Sequence, residues 1–255
     1  MTARARFAKP CLGVLALLAA AAASAQAPAR ARPEPPKSAR ESAVIDMTGQ
    51  WVSIVNEDWR WRMVTPPKGD YTSVQPLNAA GRAVADQWDP GQDGSCRAYG
   101  AAGLMRMPTR LRIDWEGDAV LTVRTDAGEQ LRRFEFAPKG GDGAPSLQGH
   151  SVASWQHTLP PPGPPRGPPP PGGSLKVVTT KLLPGWLRRN GVPYSADTTL
   201  TEYYDRFAAP NGEEWLVVTT IVEDPQYLTG RFITSSHFRR EKDRSKWSPK
   251  PCRPL

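Results

Sequence analysis

Alternation of apolar and polar residues with period two is the feature that most constrains the fold of this 255-residue chain. The alternation begins near Met47 and recurs, in short runs separated by turn residues, as far as Arg240. Successive side chains of a strand point to opposite faces, so this pattern predicts strands that bury one face. About ten such strands joined mostly by short turns predict an all-β meander. An up-and-down barrel is the favoured closure because it leaves no exposed strand edge, and a β-sandwich is the alternative.

The predicted strands have in common an alternating pattern and flanking turn residues. They span residues 51–55, 59–64, 110–115, 119–125, 130–136, 148–157, 174–182, 198–207, 214–223 and 231–240. One short helix is predicted from Leu77 to Trp88, with Asn78 as its N-cap and Pro90 just beyond its end.

A proline-rich run, TLPPPGPPRGPPPPGG at residues 158–173, interrupts the strand pattern. Proline has no backbone N–H to donate to a sheet, so the run predicts a polyproline II loop between two paired strands. Its PxxP spacings are typical of segments that dock to protein partners, and a solvated low-complexity insertion is the alternative.

The first 25 residues are organised like a secretory signal peptide. Arg4, Arg6 and Lys9 precede an apolar run, and small residues lead to a predicted cleavage site after Ala25. The apolar run is too short to span a bilayer comfortably, so no stable membrane span is expected after cleavage. The alternative is an uncleaved membrane anchor.

The net charge of +8 lies at the two ends of the chain. The signal carries +3, residues 26–40 carry +3, residues 239–255 carry +5, and residues 41–238 carry −3. A nucleic-acid-binding domain needs cations clustered on a folded face, so no nucleic-acid partner is predicted.

Composition divides the chain after the signal into three parts. Residues 26–43 are rich in Ala, Pro and Arg and predict a disordered leader, because they contain too little apolar surface to bury. Residues 44–240 form the predicted barrel-like domain, and residues 241–255 form a basic tail.

Two cysteines, Cys96 and Cys252, remain when the signal containing Cys11 is removed. An even pair in an exported chain predicts a disulfide, which would tie the basic tail to the loop after the helix. Two free thiols are the alternative.

The segment Thr48-Gly49-Gln50-Trp51 resembles the G-x-W motif that opens lipocalin-type barrels. Together with the predicted meander, this resemblance implies a calycin-like up-and-down barrel. The resemblance implies that the Trp51 ring closes the barrel floor against a basic residue of the last strand. Arg239 and Arg240 are the two residues that can supply this partner.

A second resemblance covers most of the mature chain. The runs that carry it are TGQWVSIVNEDWRWRMVTPPKGDY, LKVVTTKLLPGWLRRNGVPYS, LTEYYDRF and WLVVTTIVEDPQYLTGRFITSSHF, and they are similar to a family of uncharacterised secreted bacterial proteins. This resemblance implies an exported β-domain, periplasmic or secreted, and no particular activity.

A few polar residues stand among apolar ones on the predicted strands, as in a small-molecule pocket. The candidate ligand-binding residues are Arg62, Glu202, Tyr204 and His237. The alternative is that they are outward-facing sheet residues engaged in cross-strand pairs.

Motifs for catalysis or metal binding do not occur in the sequence. His150, His157 and His237 are the only histidines, no Cys/His cluster has zinc spacing, and there is no G-x-S-x-G elbow or phosphate-binding glycine loop. We therefore predict no catalytic residue, no metal and no cofactor. The predicted function is non-catalytic binding of a small, partly apolar ligand. The alternative is a structural or accessory envelope protein that docks through its Pro-rich loop and basic tails.

Overall fold

The computed structural model describes residues 37–71, 77–92, 96–138, 143–159, 163, 167 and 172–252. The predicted signal peptide, its cleavage site and most of the Pro-rich run lie outside the described residues.

Strands make up most of the regular structure. In chain order they are β1 (Gly49–Ile54), β2 (Arg110–Glu116), β3 (Val120–Thr125), β4 (Ala127–Gly128), β5 (Leu131–Glu135), β6 (His150–His157), β7 (Gly173–Thr180), β8 (Gly185–Arg188), β9 (Val192–Tyr194), β10 (Thr199–Ala208), β11 (Glu214–Glu223), β12 (Phe232–Glu241) and β13 (Lys250–Pro251). The helices are α1 (Trp59–Met63), α2 (Ala79–Gln87) and α3 (Ala101–Leu104), with 3-10 turns at Pro90–Gln92 and Arg97–Tyr99. None of the helices in the described ranges has the length and apolar character needed to cross a membrane.

Nine of these strands close a barrel in the order β1-β12-β11-β10-β7-β6-β5-β3-β2. Strands cannot alternate direction all the way round a ring with an odd number of members, so one neighbouring pair must be parallel. That pair is β5 and β6, with Phe134 opposite Ser151. The predicted all-β barrel is confirmed, and the closed ring excludes the alternative of a β-sandwich.

One predicted strand, residues 59–64, is wrong, because the segment forms helix α1. Asp58 adopts a left-handed conformation with φ 52°, which turns the chain away from the end of β1. The Glu57 carboxylate accepts a hydrogen bond from the Ser235 backbone N–H at 2.5 Å. The Glu57 side chain therefore bonds the β12 backbone at Ser235, where the backbone of a longer β1 would have paired with it.

The predicted helix is confirmed as α2, and its N-cap is the predicted residue. The Asn78 side chain accepts a hydrogen bond from the Gly81 backbone N–H at 2.9 Å. Ala85 of α2 is fully buried in an apolar cluster that also contains Val192 of β9 and Leu200 of β10. The helix therefore covers one end of the barrel.

Side chains fill the barrel interior. Trp51, Phe134, Tyr204 and Phe238 are all 0% exposed and belong to one apolar cluster. The guanidinium carbon of Arg240 lies 5.6 Å from the centre of the Trp51 ring. Of the two arginines Arg239 and Arg240, it is Arg240 that packs against Trp51.

The C-terminal segment is held against the barrel by a covalent bond and a short sheet. Cys96 and Cys252 form the predicted disulfide, with their Cα atoms 5.5 Å apart. Next to it, β13 pairs in parallel with β4 through Lys250 and Ala127. Residues 250–252 of the predicted basic tail therefore return to the domain.

The Pro-rich insert leaves and re-enters the barrel at the tip of one hairpin. His157 pairs with Gly173 at the last rung of β6 and β7, and the Thr158 N–H donates to the Gly172 carbonyl at 3.2 Å. The strands on either side of the insert are therefore paired, as predicted.

Candidate functional site

A buried ion pair crosses the barrel interior between β5 and β10. Arg132 donates from Nη1 to Glu202 Oε1 at 2.8 Å and from Nη2 to Glu202 Oε2 at 2.6 Å. Both side chains are 0% exposed. Arg132 also donates to the Thr179 hydroxyl at 3.1 Å, and Tyr204 donates to Glu202 at 3.3 Å. Such bidentate hydrogen bonding is the strongest interaction that a guanidinium and a carboxylate can form.

The electrostatics of this pair keep Arg132 charged and the neighbouring Tyr204 phenol neutral. Burial lowers the pKa of Arg132, but the charge of Glu202 raises it, and the net shift is upward. Burial and the Glu202 charge raise the pKa of Tyr204 well above its ordinary value. The predicted candidates Glu202 and Tyr204 are thus brought together, but in a sealed cluster in which both hydrogen-bond to each other and to Arg132.

A second polar cluster lies outside the barrel wall and is here called the arginine pocket. It is a cavity of about 30 Å³ whose walls include Trp61, Arg62, Arg106, Leu187, Arg188 and Arg189. Arg106 lies with its guanidinium carbon 5.5 Å from the ring centre of Phe232, the first residue of β12. The pocket therefore sits at the end of the barrel where β12 begins.

Three chain segments converge to build this pocket. Arg62 comes from α1, Arg106 follows α3, and Arg188 ends β8. A Cβ atom added at Gly103 of α3 would lie 2.7 Å from the Trp186 carbonyl oxygen of β8. Only glycine permits this close backbone approach, which brings Arg106 and Arg188 to the same cavity.

The guanidinium groups of the pocket are buried but incompletely bonded. Arg62, Arg106 and Arg188 are 6%, 6% and 5% exposed. Arg62 Nε donates to the Arg106 carbonyl at 2.9 Å, and Arg106 Nη2 donates to Asp58 at 3.0 Å. Among the described residues, Arg62 Nη2, Arg106 Nη1 and all three nitrogens of Arg188 have no hydrogen-bond partner.

The surroundings of these arginines weaken their hold on the proton. Burial and the charge of Arg106 lower the pKa of Arg62 and that of Arg188 to about 10. The carboxylates of Glu57 and Asp58 oppose this shift at Arg62. A buried cation whose pKa is lowered is one that lacks full compensation by nearby negative charge.

The structure separates the four residues predicted to bind a ligand. Glu202 and Tyr204 share the sealed interior, while Arg62 lines the arginine pocket. His237 alternates with the interior residues Ser236 and Phe238, so it points outward from the barrel.

Sequence reasoning missed three arginines that shape these clusters. Arg132 shares a strand face with Phe134, and an arginine on the apolar face of a strand is a signal that could have identified it. Arg106 and Arg188 carry no such local signal, because they lie in a turn and at the end of a short strand.

A larger and more open groove, of about 780 Å³, lies near the start of β11 and the end of β12. Its arginines are already paired, with Arg239 bonded to Glu213 at 2.9 Å and Arg240 to Glu214 at 2.9 Å. Because these arginines are paired with glutamates, the groove has less uncompensated positive charge than the arginine pocket.

No group of His, Cys, Asp or Glu side chains suited to a metal ion occurs in the part of the chain that the structure describes.

The fold and these clusters define a closed β-barrel with a packed interior and an arginine-lined pocket outside its wall. Comparison with known proteins adds no relative: no family model, curated protein or solved structure matches the chain.

Proposed function

We propose that the protein is an exported, non-catalytic binding protein for a small, partly apolar ligand, periplasmic or secreted from a bacterial cell. The observation that carries the proposal is the dual character of α1. Trp59 and Met63 of this helix are 60% and 58% exposed, and Val64 after it is 67% exposed. Arg62 of the same helix is 6% exposed and lines the arginine pocket.

Exposed apolar side chains grouped on one segment are typical of binding surfaces. Trp59 and Met63 are separated by four positions on the helix, so their side chains lie on the same face. A ligand with an apolar part can cover these side chains while a polar part reaches the arginines. The site that we propose is therefore outside the barrel, since side chains occupy the interior.

The absence of catalysis in this proposal rests on where the acid–base groups lie. Glu202 and Tyr204 are 0% exposed and bonded to each other and to Arg132. A substrate would have to open the barrel to reach them. Export is supported by the Cys96–Cys252 disulfide, since such bonds persist in oxidising compartments.

Intrinsic tryptophan fluorescence tests this function. We expect small amphiphiles with an eight-carbon chain to change the emission of the full chain saturably, because Trp61 lines the pocket and Trp59 lies on the same helix. A Trp61→Phe variant should lose part of the change, whereas Trp215→Phe, on β11, should keep it. A panel of neutral, cationic and anionic amphiphiles that leaves the emission and thermal midpoint unchanged would refute the proposed function.

Docking through the Pro-rich insert is a second candidate function, favoured by the position of the insert. The β6–β7 ladder is complete up to His157 and Gly173, so the insert can be shortened without removing a rung. Replacing residues 160–171 with a short Gly-Ser link should leave the thermal midpoint unchanged. Loss of association with the cell envelope in that variant would support docking, and retained association would contradict it.

A further inference from the structure

We infer that the arginine pocket binds the carboxylate head of a small amphiphile whose apolar tail lies on α1. This inference rests on the proposed function and specifies its ligand class. Its starting point is Arg188, which is 5% exposed and whose three guanidinium nitrogens all lack a hydrogen-bond partner among the described residues.

Unbonded charged donors in a buried position are unfavourable, and native structures seldom contain several together. Here Arg62 Nη2 and Arg106 Nη1 add two further unbonded donors on the same cavity. An oxyanion that accepts from these groups would satisfy donors from three segments at once. Arginine is the residue best suited to such recognition, because its planar fork matches the two oxygens of a carboxylate.

The ionisable residues that line the pocket are all cationic, which favours an anionic ligand. Four guanidinium groups line it, those of Arg62, Arg106, Arg188 and Arg189. The carboxylates that act by charge on Arg62 and Arg188 are those of Glu57, Asp58 and Asp70. Asp58 already bonds Arg106, and Glu57 already accepts from Ser235.

The size of the cavity selects among oxyanions. A cavity volume of about 10–15 Å³ is enough to hold one water molecule. The pocket, at about 30 Å³, therefore admits two to three water-sized groups. A carboxylate has three heavy atoms, whereas a phosphate has five and carries more charge. We therefore assign the pocket to a carboxylate.

Helix α1 supplies both a wall of the pocket and the exposed apolar residues proposed to contact the ligand tail. The Arg188 guanidinium carbon lies 5.7 Å from the ring centre of Trp61, a cation–π distance. Trp61 thus supports the cationic side of the pocket. Trp59 and Met63, on the same helix, are exposed apolar residues that can receive a tail.

Isothermal titration of the full chain with octanoate and octanamide is the decisive experiment. The two probes share the tail and differ in the charge of the head. We expect octanoate to bind with one-to-one stoichiometry and at least about 10-fold more tightly than octanamide, because hydrogen bonds to charged groups are the stronger ones. Inorganic phosphate should neither bind comparably nor displace octanoate.

Variants separate a ligand-binding role of Arg188 from a structural one. Arg188→Met should weaken octanoate by at least about 10-fold. Without ligand its thermal midpoint should equal or exceed that of the wild type, because a buried, unbonded charge has been removed. The matched control is Arg239→Gln, in the open groove at β11 and β12, which should bind octanoate as the wild type does.

The outcomes distinguish this inference from the function on which it rests. Equal affinity for octanoate and octanamide would overturn the carboxylate site and leave amphiphile binding standing. Tighter binding of phosphate would overturn the choice of carboxylate. Binding to anionic lipid vesicles that free octanoate does not inhibit would overturn both in favour of a membrane surface, and no binding of any amphiphile would refute the proposed function itself. The comparison of probes uses the unmodified chain, so it decides the inference even if Arg188→Met does not fold.

Discussion

Replacing Glu202 with glutamine removes one charge from the middle of the barrel and leaves its volume almost unchanged. Arg132 would then retain a buried positive charge, since its side chain is 0% exposed and both short bonds of the pair end on Glu202. Removing one partner of a buried ion pair typically destabilises a protein by about 3–5 kcal/mol. Since domains unfold with about 5–15 kcal/mol, this one substitution should remove a large part of the stability.

Urea denaturation under non-reducing conditions, followed by circular dichroism and tryptophan emission, measures this loss. We expect a lower midpoint with an unchanged m-value, which is the mark of reduced stability without a change in compactness. A matched control is Glu223→Gln, whose partner Arg231 is 66% exposed. Exposed pairs contribute about 0–1 kcal/mol, so this variant should stay close to the wild type.

A double variant, Arg132→Met with Glu202→Leu, separates the unpaired charge from the loss of packing. It should be more stable than Glu202→Gln, because neither charge remains buried. Its remaining loss should be about 1–3 kcal/mol, the cost of the Tyr204 hydroxyl left without Glu202. If Glu202→Gln lies within about 1 kcal/mol of the wild type, the reasoning about this buried pair is refuted.

Three further predictions follow from other parts of the structure. Changing Cys96 and Cys252 to serine should lower the unfolding free energy by about 4–5 kcal/mol in a denaturant titration, because a long closed loop is released in the unfolded state. In an alkaline titration followed at 295 nm, Tyr71 should ionise only near its pKa of about 12, which burial and then the Asp86 hydrogen bond raise. The stability linked to Tyr71 is therefore full below pH 10 and declines as the pH rises from about 10 through 12. Asn78→Ala should cost about 1 kcal/mol through loss of the α2 cap, measured as a shift in the urea midpoint.

Each of these has a result that contradicts it. Equal stability of the oxidised wild type and the serine variant would mean that the tail contributes nothing through the disulfide. A Tyr71→Phe variant with an unchanged 295 nm titration between pH 11 and 13 would show that Tyr71 does not ionise in this range. Asn78→Ser keeps an acceptor at the cap and, like Asn78→Ala, lacks the amide that donates to the Gln226 carbonyl. It should be more stable than Asn78→Ala, and an equal loss in both variants would exclude the capping role.

Local sequence signals were sufficient for most of the strands and for α2. Nine of ten predicted strands occur near their predicted positions, because alternation reflects a local geometric rule. The exception, residues 59–64, alternates as a strand would but forms α1. A strand at residues 59–64 could not pair with the preceding β1, because β2 and β12 already occupy both edges of β1. Such competition between distant strands is not written in the segment itself.

The candidate site also depends partly on local sequence pattern and partly on tertiary structure. The face of β10 that carries Glu202 and Tyr204 followed from alternation alone, and both are buried as that face requires. Their bond to Arg132 depends on the register of β5 and on closure of the ring, which bring residues 70 positions apart together. The arginine pocket depends still more on tertiary structure, because α1, the end of α3 and β8 meet only in the folded chain.

By itself, the sequence determined the all-β class, the strand spacing, the single pair of cysteines beyond residue 25 and the concentration of positive charge at the ends. These properties are additive or local, so they can be read without knowing which residues become neighbours. Tertiary structure alone decided that the interior is filled, that Glu202 is neutralised there by Arg132, and that Arg62 shares a cavity with Arg106 and Arg188. Burial and charge compensation are properties of neighbouring groups, and the neighbours exist only after the barrel closes.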